Sequence, residues 1–242
     1  QMYKENSVTS GQVYAEVIRK ERQGDYLGAT VQVIPHITDH IQSLIENVGE
    51  RYDVTLVEVG GTVGDIESLP YLEAIRQMRV RHGADKVMYI HLTLLPYIKT
   101  AGELKTKPTQ HSVKELRSIG IQPDILVCRS DSLLSDAARK KIGLFTNVAP
   151  ESVVAVPDVD STYSVPEVLA EQSIISLIAK HTGLQCTATD IAPWIDLVKR
   201  EQEAQSIIKI AMVGKYCGLG DAYKYYLSYE KNSLSISKHY FE

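Results

Sequence analysis

An apolar run that leads into a glycine-rich acidic loop is the part of this sequence with the clearest capacity for chemistry. The run covers residues 54–59 and includes Glu58, which would stand near the carboxyl end of a buried strand. A buried carboxylate is costly unless a partner meets its charge. Mg²⁺ is one such partner because hard cations take oxygen ligands, and a lysine, an arginine or backbone N–H groups are others. The pattern alone leaves these partners open.

The loop that follows contains glycines at positions 60, 61 and 64 and the acidic residues Asp65 and Glu67. Glycine permits backbone angles and close approaches that could present N–H groups to a phosphate, although glycines also simply turn chains. Ser68 is placed to cap a helix that begins near Pro70. Asp65 and Glu67 would then either complement the positive end of that helix or accept hydrogen bonds from a sugar or base.

A second segment, Lys105-Thr-Lys-Pro-Thr-Gln110, carries the opposite charge and is called the lysine loop below. Pro108 disfavours helix at Lys107, so the two lysines are predicted to lie in extended backbone and to point the same way. The helix that follows adds backbone donors and a positive dipole end near Thr109, which suits a triphosphate. A solvated basic loop would have the same composition. If Glu58 and the lysines face one cleft, together they would bind nucleotides bridged by magnesium.

Bulk composition narrows the class of protein. The 242 residues include 26 basic and 30 acidic side chains, and the formal charge of -4 argues against a large nucleic-acid surface. Three widely separated cysteines argue against a disulfide framework. The apolar runs are too short to span a bilayer and the polar start lacks a signal-peptide pattern, so we expect a cytoplasmic protein without a membrane partner. The sequence contains no complete Walker A phosphate loop, and His36 and His40 are its one histidine pair at helical spacing.

Hydrophobic periodicity predicts strands that alternate with helices along most of the chain. Strands are predicted at residues 30–34, 54–59, 87–95, 125–128 and 153–156. Helices are predicted at residues 10–22, from a Thr38 cap to residue 48, from residue 70 onward, and at 110–118, 135–144, 165–181 and 194–205. This alternation predicts an α/β fold with a mainly parallel sheet flanked by helices and right-handed crossovers.

The pattern changes near residue 184. The charged helix at residues 194–205 is interpreted as part of a linker, and an apolar strand at 207–213 would open a second α/β domain. We therefore expect a first domain at residues 1–184, a linker at 185–206 and the start of a second domain at 207–242.

Four stretches of the sequence closely resemble the CTP synthase family. They are residues 20–38 (KERQGDYLGATVQVIPHIT), residues 57–68 (VEVGGTVGDIES), the lysine loop, and residues 128–131 (CRSD). The resemblance covers essentially the whole chain. It implies a glutamine-dependent amidoligase whose N-terminal synthetase domain, similar to P-loop dethiobiotin synthetases, uses ATP and Mg²⁺ to phosphorylate O4 of UTP. Ammonia then displaces the phosphate to give CTP, and a class I glutaminase domain beginning near residue 207 would supply the ammonia.

The resemblance also implies roles for individual residues. Glu58 would be a magnesium ligand, and residues 24–27 would belong to a mobile lid. The positions implied to lie beside ATP are Arg129, Pro157, Asp158 and Val159. The positions implied to hold UTP or the feedback inhibitor CTP are Asp65, Ile66, Glu67, Lys105, Thr106, Lys107, Pro108, Thr109, Gln110 and Lys141.

By the same resemblance the protein would be a homotetramer that uses glutamine as the source of ammonia and GTP as an allosteric activator. The family's first strand and phosphate loop would precede Gln1, and Gln23 stands where a basic lid residue is expected. We expect the 242-residue chain to be inactive by itself and less stable than a complete synthetase domain. Two alternatives remain open: a non-catalytic nucleotide-binding or assembly protein that responds to CTP, and another ATP-dependent ligase of the same fold.

Overall fold

Three parallel strands form the central sheet of the chain. A computed structural model describes residues 4–98, 100, 102–186 and 190–204. Its sheet consists of β1 (Ile90–Leu95), β4 (Ile125–Ser130) and β5 (Val153–Pro157), in the order β1-β4-β5. A short antiparallel pair, β2 (Tyr97–Ile98) and β3 (Glu103–Leu104), lies just before the lysine loop. The predicted α/β fold with a parallel sheet is confirmed.

Helices account for much of the rest of the described chain. They are α1 (Ser10–Gln23), α2 (Thr38–Gly49), α3 (Leu69–His82), α4 (Lys107–Ser118), α5 (Asp136–Thr146), α6 (Val165–Glu171), α7 (Ile174–Thr182) and α8 (Ala192–Glu203). α4 lies between β1 and β4 in the chain, and α5 lies between β4 and β5, as the connections of parallel strands require. α1 begins at a capping box, in which the side chains of Thr9 and Gln12 each accept the other's backbone N–H.

The core lies on both faces of β4, whose six residues are all buried except Arg129. On one face Cys128 packs in a cluster with Val113 of α4 and Ile142 of α5. On the other face Val127 packs in a cluster that includes Ile174 of α7. A strand covered on both faces reads as a nearly continuous apolar run, which is why this strand was predictable. The helices leave the carboxyl ends of β4 and β5 side by side at one edge of the sheet.

The strand predicted at residues 54–59 is wrong. These residues have no strand pairing, and Leu56 is 86% exposed while Val54 is 53% exposed. Glu58 is also exposed, so it is not the buried strand-end carboxylate that the pattern indicated. An apolar run becomes a strand only when a neighbouring strand satisfies its backbone N–H and C=O groups. None of the strands in the described part of the chain lies beside it.

The strand predicted at residues 30–34 is also wrong. Residues Val33–Ile37 form a helical turn that leads directly into α2, and the N–H of Gln32 donates to His36 Nδ1 at 3.0 Å. Pro35 within this turn has no N–H to give to a strand ladder. Thr38 is accordingly the first residue of α2 rather than its cap, and its hydroxyl donates to the Pro35 carbonyl at 3.0 Å.

One predicted helix begins earlier in the structure than expected, and another is broken in two. α4 begins at Lys107, so this residue is helical and not extended. The reason is that Pro108 falls in the first turn, where the missing N–H would have no partner anyway. The single helix predicted at 165–181 is two helices, α6 and α7, because Ser173 adopts a left-handed conformation with φ of 58°.

The strand predicted at 87–95 begins only at Ile90. The backbone of Tyr89 is satisfied differently, since its N–H donates to Asp124 Oδ2 at 2.7 Å. The predicted helix at 194–205 corresponds to α8. The strand predicted at 207–213 and the start of the second domain lie outside the described residues.

Candidate functional site

The carboxyl ends of β4 and β5 bring together the residues that the sequence assigned to ATP. Parallel pairing sets Arg129 beside Val156 and Ser130 beside Pro157. The N–H of Asp158 donates to the carbonyl oxygen of Ser130 at 3.1 Å. Arg129 Nη2 lies 2.6 Å from Asp158 Oδ1, and both side chains keep more than half of their surface exposed. Arg129 and the segment 157–159 are therefore neighbours in the fold, held by the register of two parallel strands.

A cavity of about 750 Å³ opens beside this ion pair. The apolar face of the sheet lines it through Leu92, Val127 and Val156, and Arg129 and Asp158 contribute charge. An apolar surface with a few convergent polar groups is typical of small-molecule sites and suits a flat aromatic base. The cavity lies outside the carboxyl ends of parallel strands, where open α/β sheets usually bind ligands.

A second and more acidic cavity of about 520 Å³ shares residues with the first. One wall is α8, which contributes Val198, Glu201 and Gln202, and the facing segment is residues 158–164. α8 is held there partly by a stacked contact between the rings of Trp194 and Tyr163, whose centroids are 6.2 Å apart. Glu201 lines both cavities.

α8 is the part of the site that sequence reasoning missed. Its many charges indicated a linker, and Glu201 lies more than 40 positions after Pro157 in the chain. Only the packing of α8 on residues Thr162–Ser164 and on α6 brings its carboxylate to the sheet edge. No spacing or motif in the sequence carries a signal for this contact.

The lysine loop joins β3 to α4, and several of its polar groups hold the fold together. Thr109 is fully buried, and its hydroxyl lies 3.1 Å from Thr93 Oγ1 and 3.2 Å from the Leu94 carbonyl oxygen. Gln110 Nε2 donates to Thr106 Oγ1 at 3.1 Å. The first turn of α4 has no side-chain cap, Pro108 in it has no N–H, and the N–H of Gln110 donates to the carbonyl oxygen of Thr106 at 3.1 Å.

The lysines of this region differ in their surroundings. Lys105 is hydrogen-bonded to Glu103, and that bond holds the pKa of the Glu103 carboxyl below its ordinary value. The charges of Lys105 and of Lys141, on α5, lower the same pKa further, so Lys141 acts electrostatically on this loop. Lys107 is exposed, and its side chain has no hydrogen bond or ion pair to any residue that the structure describes.

The acidic loop is folded around Asp65. Asp65 Oδ2 accepts from the N–H of Thr62 at 2.9 Å, and Ser68 Oγ donates to the Asp65 carbonyl at 2.9 Å. Gly64 has a φ of 106°, which a residue with a side chain rarely adopts. Ser68 occupies the N-cap position of α3, as predicted, but its side chain makes no capping hydrogen bond to the helix. Its hydroxyl is used instead to close the turn before the helix.

Glu58, Ile66 and Glu67 lie exposed at the surface. Within the described residues, no hydrogen bond or ion pair joins the acidic loop to the lysine loop. The cleft shared by Glu58 and the two lysines stays a prediction.

The described residues contain no group of three or more histidine, cysteine or acidic side chains that could hold a metal ion. Mg²⁺ in nucleotide enzymes usually takes one or two carboxylates together with substrate phosphates and water. A single exposed carboxylate such as Glu58 fits that donor set.

Comparison with known protein families places these residues in context. The family model described as "CTP synthase N-terminus" matches residues 1–184, which is more than half of the 242-residue chain. The chain belongs to the CTP synthase N-terminus family. The match includes the lysine loop, the acidic loop and the carboxyl edge of β4 and β5, whereas α8 lies beyond it. CTP synthase membership supports a ligase role in pyrimidine biosynthesis with nucleotides as substrates.

Among the residues that the structure describes, no helix combines the length and the apolar character needed to cross a membrane.

Proposed function

We propose that this chain contributes the synthetase part of an enzyme that converts UTP to CTP. ATP would phosphorylate O4 of UTP, and ammonia would then attack C4 and displace phosphate. The phosphate matters because it turns a poor leaving group, a carbonyl oxygen, into a good one. The observation that carries the proposal is the CTP synthase family match over the residues that build both the β4–β5 edge and the lysine loop.

ATP would lie at the carboxyl edge of β4 and β5. The cavity there offers an apolar surface for the adenine ring, with Arg129, Pro157, Asp158 and Val159 around it. The Arg129 guanidinium, which is paired with Asp158 and more than half exposed, would lie over the base or meet a phosphate.

UTP would lie at the lysine loop. Lys105, Lys107 and Lys141 provide positive charge for a triphosphate, and the positive end of the α4 dipole adds to it. Two triphosphates brought together repel each other, so these groups must offset their charge before the phosphoryl group can be transferred. Asp65, Ile66 and Glu67 would hold the inhibitor CTP, with the carboxylates accepting hydrogen bonds from its sugar or base.

Several finer features belong to the same proposal. Glu58 would hold Mg²⁺, which when bound offsets the negative charge of the phosphates. Glutamine would be the source of ammonia, GTP an allosteric activator, the assembly a homotetramer and the location the cytoplasm. Residues 1–184 would be the synthetase domain, residues 185–206 a linker, and residues 207–242 the start of a class I glutaminase domain.

Binding of ATP and of UTP to single variants tests the two halves of the proposal separately. Arg129→Ala should weaken ATP binding about tenfold with little effect on UTP, because a charge-assisted contact is lost at only one site. Lys107→Ala should do the reverse. Lys114→Ala is the matched control, since Lys114 is an exposed lysine two turns further along α4. Affinities would be measured by titration calorimetry with Mg²⁺ present.

Other outcomes separate the alternatives. If neither substitution changes either affinity, the proposed sites are wrong. Tight CTP binding without turnover in a full-length protein that contains this chain would favour the non-catalytic alternative. Turnover with ATP and an acceptor other than UTP would favour a different ligase of the same fold.

A further inference from the structure

Glu103 holds the ammonium group of Lys105, one of the lysines that the proposed UTP site offers to a triphosphate. The two side chains are hydrogen-bonded to each other, and Glu103 keeps 61% of its side-chain surface exposed while Lys105 keeps 44%. Lys107 differs, since its side chain has no hydrogen bond or ion pair to any residue that the structure describes. A carboxylate of the protein itself therefore uses a donor that a ligand phosphate would need.

The β2–β3 hairpin keeps these two side chains together. Glu103 pairs with Ile98 across the hairpin, and the N–H of Lys105 donates to the carbonyl oxygen of Pro96 at 2.9 Å. Residues two apart on an extended chain point to the same face, so the backbone places the carboxylate beside the ammonium. Because the pair is intramolecular, the carboxylate has a high effective concentration, against which a ligand phosphate must compete.

The Glu103 carboxylate also lies in the positive field of the proposed site. Its hydrogen bond to Lys105, the charge of Lys105 and the charge of Lys141 on α5 all lower its pKa, so it is ionised at neutral pH. Carboxylate and phosphate are both oxyanions that accept charge-assisted hydrogen bonds from an ammonium group. They are thus rivals for the same lysine.

We propose that Glu103 is an internal competitor for Lys105 that lowers the affinity of the lysine loop for triphosphates. This inference rests on the UTP site of the proposed function and adds a residue that sets the affinity of that site. A triphosphate can bind Lys105 only by breaking the ion pair, which leaves the carboxylate without its partner and close to a like charge. UTP and CTP bring the same triphosphate, so the competitor weakens substrate and inhibitor alike.

Removing the charge of Glu103 tests this directly. Glu103→Gln keeps the size of the side chain, and UTP and CTP should each bind to it about fivefold more tightly, the scale of a surface ion pair that no longer has to be broken. The gain should be equal for the two nucleotides. Glu115→Gln is the matched control, because it removes one exposed negative charge from α4, and it should leave both affinities unchanged. Titration calorimetry with Mg²⁺ gives the affinities, and melting temperatures without nucleotide verify that each variant is folded.

A second pair of variants separates competition from simple repulsion. In a Lys105→Ala background the carboxylate has no ammonium to release, so adding Glu103→Gln should tighten UTP binding by no more than about twofold. A gain as large as in the wild-type background would show that Glu103 only repels the phosphates, and it would overturn the inference.

Two further results would also overturn it, and they differ in what they leave standing. If the wild-type chain binds UTP and Glu103→Gln binds it equally or more weakly, the carboxylate does not compete for Lys105, and the UTP site stands. If neither the wild-type chain nor Glu103→Gln binds UTP, the UTP site of the proposed function fails and the inference fails with it.

Discussion

Side chains that were candidates for binding divide into those that hold the fold and those that face solvent. Thr109 and Asp65 belong to the first group, because the Thr109 hydroxyl anchors α4 on β1 and the Asp65 carboxylate closes its own loop. Lys107 and Arg129 belong to the second, since both are exposed at the edges where ligands would arrive. Substitutions in the first group would change stability as well as binding, whereas those in the second isolate binding.

Gln172 shows how much one polar side chain can stabilise this fold. Its Oε1 accepts from the N–H of Ala155 at 2.8 Å, and its Nε2 donates to the Ala155 carbonyl at 2.6 Å, so the amide imitates a further strand beside β5. Ala155 is fully buried. Gln172→Ala should therefore leave two backbone groups unsatisfied and lower the free energy of unfolding by about 2–4 kcal/mol. Denaturant unfolding measures this, with the exposed neighbour Glu171→Ala as control; equal midpoints for the two variants would contradict the account.

Helices and strands were predicted well where the local pattern and the tertiary contacts agree. The near-continuous apolar run of β4 and the capped start of α1 both identify their elements from the sequence. Residues 54–59 have an equally apolar pattern but lack a pairing partner among the described strands. The break between α6 and α7 was not predictable because no glycine or proline marks it. It depends on Gln172 turning toward β5 while Ser173 adopts a positive φ.

At the end of α5, the structure predicts that replacing Gly143 with alanine lowers stability, whereas helix propensity alone predicts that it raises stability. A Cβ added to Gly143 would lie 2.6 Å from the carbonyl oxygen of Val148, because the chain turns back tightly after Asn147. Gly143→Ala should lower the free energy of unfolding by about 1–3 kcal/mol, the usual cost of overpacking, although alanine is the better helix former.

Gly11→Ala is the matched control for that substitution. It places the same methyl group in α1, where the nearest side-chain atom is 4.0 Å away, so it should be neutral or stabilising by up to about 1 kcal/mol. Thermal or denaturant unfolding compares the two variants, and equal effects would show that the Val148 contact does not matter.

Partly and fully buried titratable groups in different parts of the molecule predict a maximum in its pH–stability profile. Burial lowers the pKa of His91 and of His40, and the charge of Lys20 lowers that of His40 further. The unfolded chain then binds protons more strongly than the folded one, so stability should fall as the pH drops below about 6.5. Burial raises the pKa of the Cys128 thiol, and the unfolded chain therefore ionises first as the pH rises through about 9. Stability should fall on that side too, and further where Tyr89, whose pKa burial raises to about 12, would ionise in the unfolded chain.

Denaturant midpoints across this pH range measure the profile. His91→Gln should make the acidic decline shallower, while His111→Gln, at an exposed position of α4, should leave it unchanged. A profile that rises toward acid, or one in which the two variants behave alike, would contradict the assignment to the half-buried His91.

The sequence by itself determined the parallel α/β class, most of the helices and the opposite charges of the two loops, because these follow from the local order of apolar, charged and glycine residues. It also carried the family motifs that the comparison confirms over residues 1–184. Only the tertiary structure decided which apolar run becomes a strand, that Arg129 meets Asp158, and that α8 brings Glu201 to the sheet edge. Each of these depends on hydrogen bonds, charge pairs or burial between segments distant in sequence, and a local pattern carries no information about which distant segment supplies the partner.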